Sequence, residues 1–244
     1  MRTALAAPPF TGTVLDAGCG EGADLAWVAL TDACDAVGVE LSAGGVGATR
    51  ARIAGIANAR LLQADVLALP FASGAFDGAY SYGVVHHTID PDAAVREIAR
   101  TLKPGAPLLL YVYEDFSRRS RPWRAALTAV NTLRALVWRL PPQGIRAVCW
   151  MAAPFVYVGC TLPSKHFAWA ARFPYPAHQN PTLRSLIPDL YDRFAAPIER
   201  RYSERGAAAL AEQAGLIVRR TAQERGWMIW AERPRSSAAQ TASA

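Results

Sequence analysis

Cysteine is scarce in this chain of 244 residues: Cys19, Cys34, Cys149 and Cys160 are the only four, and no two stand in a Cys-x-x-Cys spacing. That excludes a dense disulfide framework, and reduced thiols in a cytoplasmic protein are the simpler reading. His-Glu-x-x-His is also missing. His86 and His87 are adjacent rather than four apart, so their rings diverge and no metal site is expected. Met1–Phe10 lacks the apolar stretch of an export signal, so export is not expected. The uncharged, aromatic-rich run Ala147–Leu162 is shorter than the roughly 20 residues of a membrane span and contains Pro154 and Gly159. No Gly-Lys-Ser/Thr follows the glycine-rich stretch near the start, which excludes a P-loop, and low-complexity repeats are absent.

What is present is a chain able to bury a large core. Hydrophobic residues make up 52% and charged residues 19%, which suits one large domain or a core carrying an insertion. The net charge of +6 is compatible with nucleic acid, an anionic membrane or an acidic substrate, and composition does not choose among them.

Val14-Leu15-Asp16-Ala17-Gly18-Cys19-Gly20-Glu21-Gly22 organises the rest. An apolar run ends in an acid, glycines follow at alternate positions, and Ala23–Leu30 is helix-compatible. This predicts strand, tight turn and helix N-terminus, where glycine lets a ligand approach the backbone. The glycine spacing differs from the dinucleotide fingerprint, and Asp16 suits a ligand carrying positive charge. Further strands are expected at Ala36–Val39, Arg60–Ala64, Phe76–Tyr82 and Leu108–Tyr113, ending near Glu40, Asp65, Tyr82 and Glu114. Helices are expected over Ser42–Ala57, diluted by glycine, and Asp90–Leu102, with Asp90 as cap and Pro91 behind it. Ser203–Gly215 reads as a helix, and Leu216–Gln223 and Gly226–Arg233 as a closing hairpin. Strands alternating with helices predict an α/β protein with a doubly wound parallel sheet.

The run Asp16-x-Gly18-Cys19-Gly20-x-Gly22 resembles motif I of the class I S-adenosylmethionine (SAM) dependent methyltransferases. The stretch Gly83–Gly105, with Val85-His86-His87, Asp90-Pro91 and Arg96-Glu97-Ile98 followed by Leu102-Lys103-Pro104-Gly105, is similar to a large group within them. That group includes the ubiquinone/menaquinone C-methyltransferases and many O-methyltransferases; Ala106 replaces its usual second glycine. The resemblance implies a Rossmann-like sheet and SAM as cofactor. It also implies that Asp16, Gly18 and Gly20 meet the methionine portion and Glu40 the ribose hydroxyls. Asp65 would accept from the adenine amino group, with Leu41 and Val66 beside the ring, and Tyr82 would line the methionine or acceptor pocket. His87, after strand four, is the candidate general base, with packing of one of the two histidines as the alternative. Glu114 and Asp115 are secondary candidates for that role.

The core is thus expected over 1–115 and 202–233, with a mainly helical insertion over 116–201 between strands five and six, and a disordered tail over 234–244. Arg124–Leu140 projects as a basic amphipathic helix, with Leu133, Leu136, Val137 and Leu140 opposite Arg124, Arg134 and Arg139. Ala147–Leu162 reads as an interfacial or lid segment, and Phe167–Pro181 as an irregular loop. The insertion is expected to roof SAM and a small, hydrophobic acceptor, with peripheral contact to an anionic membrane as a second role. A nucleic-acid acceptor is not expected: no RNA-binding module or Asn-Pro-Pro-Tyr-like motif is present, and the arginine-bearing helix is apolar on its other face. A SAM-binding protein without catalysis remains the rival of another class.

Overall fold

The computed structural model describes residues 10–31, 34–167, 170, 182–224 and 226–235. The chain divides into two compact units, Met1–Ser117 with Ile198–Ala244, and Arg118–Pro197.

The first unit is built on a seven-stranded sheet in the order β3-β2-β1-β4-β5-β7-β6. Its strands are β1 (Thr13–Ala17), β2 (Asp35–Glu40), β3 (Ala59–Gln63), β4 (Gly78–Tyr82), β5 (Pro107–Tyr113), β6 (Ile217–Gln223) and β7 (Gly226–Glu232). The first five pair in parallel, and β7 enters antiparallel between β5 and β6. Helices α1 (Ala23–Thr31), α2 (Ala43–Arg52), α3 (Pro91–Thr101) and α8 (Glu204–Gln213) flank it. Alternation along the strands divides the core into two layers. Leu15, Ala79, Leu108, Leu110 and Ile229 face α3 and α8, while Val14, Tyr80, Leu109, Met228 and Trp230 lie on the other side with Val28 of α1. This is the Rossmann-like α/β architecture read from the sequence.

Local chemistry sets the element ends. Asp90 Oδ1 accepts from the Ala93 N–H at 2.9 Å to cap α3, and Ser42 Oγ accepts from the Gly45 N–H at 3.1 Å to cap α2. Helix α2 stops at Arg52, five residues before the expected Ala57, and Gly55 lies just beyond in the left-handed region at φ +86°. The fourth strand begins at Gly78 rather than Phe76, which instead packs edge-on against Phe71, centroids 4.9 Å apart.

The second unit holds α4 (Arg121–Val137), α5 (Pro142–Val156), α6 (Leu162–His166) and α7 (Leu183–Ala195). Its core joins Ile145, Cys149 and Ala153 of α5 to Leu186, Leu190 and Phe194 of α7. A π-helical turn, Tyr157–Thr161, follows the Pro154 that removes one N–H from α5, and it carries the chain into α6 without a break. Pro142–His166 is therefore one helical run of 25 residues, which corrects the short segment expected at 147–162. On α4 only Val137 is buried; Leu133, Leu136 and Leu140, expected as its inward face, are exposed. Most of the loop expected at 167–181, and the tail beyond Arg235, lie outside the described residues.

Candidate active site

The parallel register brings the carboxyl ends of β1 to β5 to one edge, the position where ligands bind in open α/β sheets. Asp16 stands there, 2% exposed, and accepts a hydrogen bond from Tyr80 Oη at 3.0 Å. Burial, and then the charges of Asp24 and Glu40, raise its pKa well above the ordinary carboxylate value despite that bond. A buried acid whose charge lacks compensation is suited to an incoming cation.

The glycine loop follows. Gly18, Gly20 and Gly22 have φ of +92°, +55° and +77°, the left-handed region that side chains disfavour. Their surroundings differ. A Cβ on Gly18 would lie 2.4 Å from a methyl of Val84, and one on Gly22 would meet Thr49 at 2.7 Å. Around Gly20 nothing lies within 4 Å, so the backbone there is open to a ligand. Cys19 is inert packing between them, since burial and then Asp16 push its thiol up to about 12.

Glu40, at the end of β2, braces this loop. Its Oε2 accepts from the Gly20 N–H at 3.1 Å, and its Oε1 accepts from the Ser42 N–H at 2.8 Å and from Ser42 Oγ at 2.6 Å. Thr49 Oγ1 donates to the Gly20 carbonyl at 2.7 Å and holds the loop from α2. Asp65 follows β3, with Oδ1 accepting from the Leu67 N–H at 2.9 Å. The turn after β3 rolls Val66 into the main core, where it is buried, while Leu41 is 63% exposed. Leu41, not Val66, is thus the apolar side chain offered to a ligand at this edge. Tyr82 ends β4 and stacks on Tyr111, centroids 4.3 Å apart.

The two histidines separate sharply. Val85–His87 forms a single 3₁₀ turn after β4. His86 is fully buried between the rings of His87 and Tyr113, each 4.2 Å away, and neither of its nitrogens meets a partner among the described residues. Burial, and then the nearby His87 and Arg201, lower its pKa to about 2. His87 is only partly buried, and its Nδ1 lies 2.7 Å from the Ile198 carbonyl oxygen. A carbonyl only accepts, so Nδ1–H donates, and in the neutral ring Nε2 carries the lone pair that a base needs.

The partners of this turn had no local signal in the sequence. The returning segment Ile198–Arg201 is tied down by the Arg200 N–H, which donates to the His86 carbonyl at 2.9 Å. Arg201 pairs with Glu199 at 2.7 Å and lies over the Tyr113 and Phe116 rings. These bonds place residues 198–201 in the first unit, where the sequence assigned them to the insertion. Glu114 is buried with Oε2 accepting from Gln223 Nε2 at 2.6 Å, and Asp115 Oδ1 accepts from the Ser117 N–H at 2.9 Å. Both secondary base candidates therefore hold structure together. Among the described residues no three His, Cys, Asp or Glu converge on a metal position.

A glycine loop bracketed by acids at the ends of adjacent parallel strands, on this strand order, defines a class I methyltransferase domain. Residues 15–110 match the family described as methyltransferase domain, which with this fold makes that stretch a class I SAM-dependent methyltransferase domain. It is 35% identical over 98 residues to an O-methyltransferase of Pyrenophora dematioidea, covering 39% of this chain and 37% of that protein. It is also 35% identical over 163 residues to the tRNA (carboxymethyluridine(34)-5-O)-methyltransferase ALKBH8 of Macaca fascicularis, covering 58% of this chain and 23% of that one. The matches thus span well under two thirds of these curated relatives. In fold the chain resembles the Haloferax volcanii complex of a methyltransferase with the Trm112 activator, at TM-score 0.59 and 17% identity over 96% of this chain and 88% of that one. The cofactor is SAM, and the open backbone at Gly20 beside Asp16, Glu40 and Asp65 fits it.

Proposed function

We propose that this protein transfers the methyl group of SAM to a small, hydrophobic acceptor, with His87 as general base. The observation that carries the reading is the bond from His87 Nδ1–H to the Ile198 carbonyl, which fixes the ring and its tautomer on a partly open turn at the ligand edge of the sheet. SAM supplies a methyl carbon made electrophilic by its sulfonium. Asp16 attracts the positive end of the cofactor, and Gly18 and Gly20 let the methionine portion approach the backbone. Glu40 accepts from the ribose hydroxyls while keeping the loop braced, Asp65 accepts from the adenine amino group, and Leu41 covers the ring. Tyr82 lines the methionine and acceptor side. With SAM bound, the acceptor atom would bond to the methyl carbon as the S–CH3 bond breaks and the thioether S-adenosylhomocysteine leaves, and His87 Nε2 would take the acceptor's proton, a role worth about 10²–10⁴ in rate.

A tRNA acceptor is the second reading, favoured by the similarity to the ALKBH8 enzyme and by the basic charge. Incubation with methyl-labelled SAM and either a panel of lipophilic phenols and acids or total tRNA separates the two. The first reading expects label in the small molecules, lost in His87→Ala with SAM affinity kept. Label confined to tRNA refutes the small acceptor, full activity of His87→Ala refutes the base, and SAM binding without transfer to any acceptor points to a non-catalytic role.

A further inference from the structure

The second unit carries a surface that methyl transfer does not require. Between Asp115 and Asp189 the chain has no acidic residue at all, yet ten arginines and lysines fall in that interval. The same interval contains Pro142–His166, a helical run whose apolar 18-residue stretch has mean hydropathy 1.5 and is only 22% buried. At about 100° per residue, Met151 and Phe155 point away from Ile145, Cys149 and Ala153, which pack on α7, and Trp150 lies on the flank between the two faces. The outward face and this flank are open: Trp150 is 57%, Met151 64% and Phe155 80% exposed. Helix α4 adds exposed Leu133 and Leu136, with exposed Arg121, Arg124 and Arg139 on the same element or just beyond its end.

An apolar strip this continuous is more than the scattered exposure normal for a soluble surface. The cations of this interval, with no acid among them in the sequence, select an anionic occupant. RNA would match the charge, and Trp150 and Phe155 could stack on bases, but the aliphatic Met151 and Val158 beside them offer RNA neither a donor nor a ring. Acyl chains beneath anionic headgroups match both features. We propose that the second unit docks on an anionic lipid bilayer, with Pro142–His166 lying in the interface and the arginines of α4 among the headgroups. The helix lies in the surface and does not span it. Its other face is joined to α7, whose Arg184, Asp189 and Arg193 would otherwise enter hydrocarbon. Lys165, near the end of the run, is exposed and can extend its charge to the headgroups.

The test is flotation of the full chain with vesicles of phosphatidylcholine alone or mixed with phosphatidylglycerol, at low and high salt. Wild type should float with the anionic vesicles at low salt and much less with the neutral ones. Each cation near such a surface is worth about fivefold in partitioning, so Arg121→Gln/Arg124→Gln/Arg139→Gln should bind about a hundredfold more weakly. Trp150→Ser/Phe155→Ser/Val158→Ser should lose more than tenfold, since burying one large apolar side chain exceeds that factor. Brominated lipids should quench tryptophan emission in wild type and less in Trp150→Phe. If the triple serine variant fails to fold, Phe155→Ser alone gives the same reading at the most exposed of these positions. No binding to anionic vesicles overturns the proposal, as does binding that the serine substitutions leave intact. So does RNA retention in place of vesicle binding, or a dimer that shields Trp150 and dissociates in the serine variant.

Discussion

His86 provides a quantitative test because its burial couples stability to pH. In the unfolded chain its imidazole has the ordinary pKa of 6.5, and in the folded protein that value falls to about 2. A depressed pKa means that the unfolded state binds the proton more readily. The stability His86 contributes is complete above 6.5 and is lost as pH falls from there toward 2. At pH 5 the unfolded chain has gained about 1.5 units of protonation free energy that the folded chain has not, or about 2 kcal/mol. That figure is insensitive to whether the folded value is 2 or 3, because pH 5 lies above both. The discriminating variant is His86→Phe. Neither ring nitrogen has a partner among the described residues, so phenylalanine forfeits no hydrogen bond and keeps the stacking on His87 and Tyr113. Urea denaturation at pH 7.5 and at pH 5 should show wild type losing about 2 kcal/mol more than His86→Phe across that interval. At pH 7.5 the variant should match wild type or exceed it. Equal losses in both proteins, or a variant more than about 1 kcal/mol less stable at pH 7.5, would show that His86 makes a polar contact in the fold and is not a neutral packing group.

Other predictions concern the ligand edge. Glu40→Ala should weaken SAM by about 1.5–3 kcal/mol, the range for hydrogen bonds to a charged group, and calorimetry with unchanged affinity would remove Glu40 from the ribose site. Gly20→Val should cost about 1–2 kcal/mol of stability from its left-handed backbone yet abolish SAM binding. Gly18→Val should cost more, because its side chain also runs into Val84; urea midpoints and calorimetry on the pair check the order. Raised by burial, Asp16 holds its proton above the ordinary carboxylate range, so a cationic ligand should expel it. SAM affinity should therefore climb with pH through that raised value, by up to about tenfold per unit; a slope that survives in Asp16→Asn would refute the linkage.

The sequence alone determined the α/β alternation, the strand ends at Asp16, Glu40 and Asp65, and the glycine loop between strand and helix. These features depend on local periodicity, on cap residues such as Ser42 and Asp90, and on backbone freedom at Gly18 to Gly22, all legible over a few positions. It could mark His86-His87 as a pair but not separate them. Which ring is buried and which is oriented depends on Ile198 and Arg201, more than a hundred residues away. Val66 illustrates the same limit, since an apolar residue after a strand reads alike whether the turn sends it toward a ligand or into the core. The continuity of Pro142–His166 was hidden by Pro154, which lacks an N–H; only the helical path through the π turn keeps the run unbroken. Tertiary structure also decided that the apolar side of Arg121–Val137 is largely exposed, because periodicity defines a face but not what, if anything, packs against it.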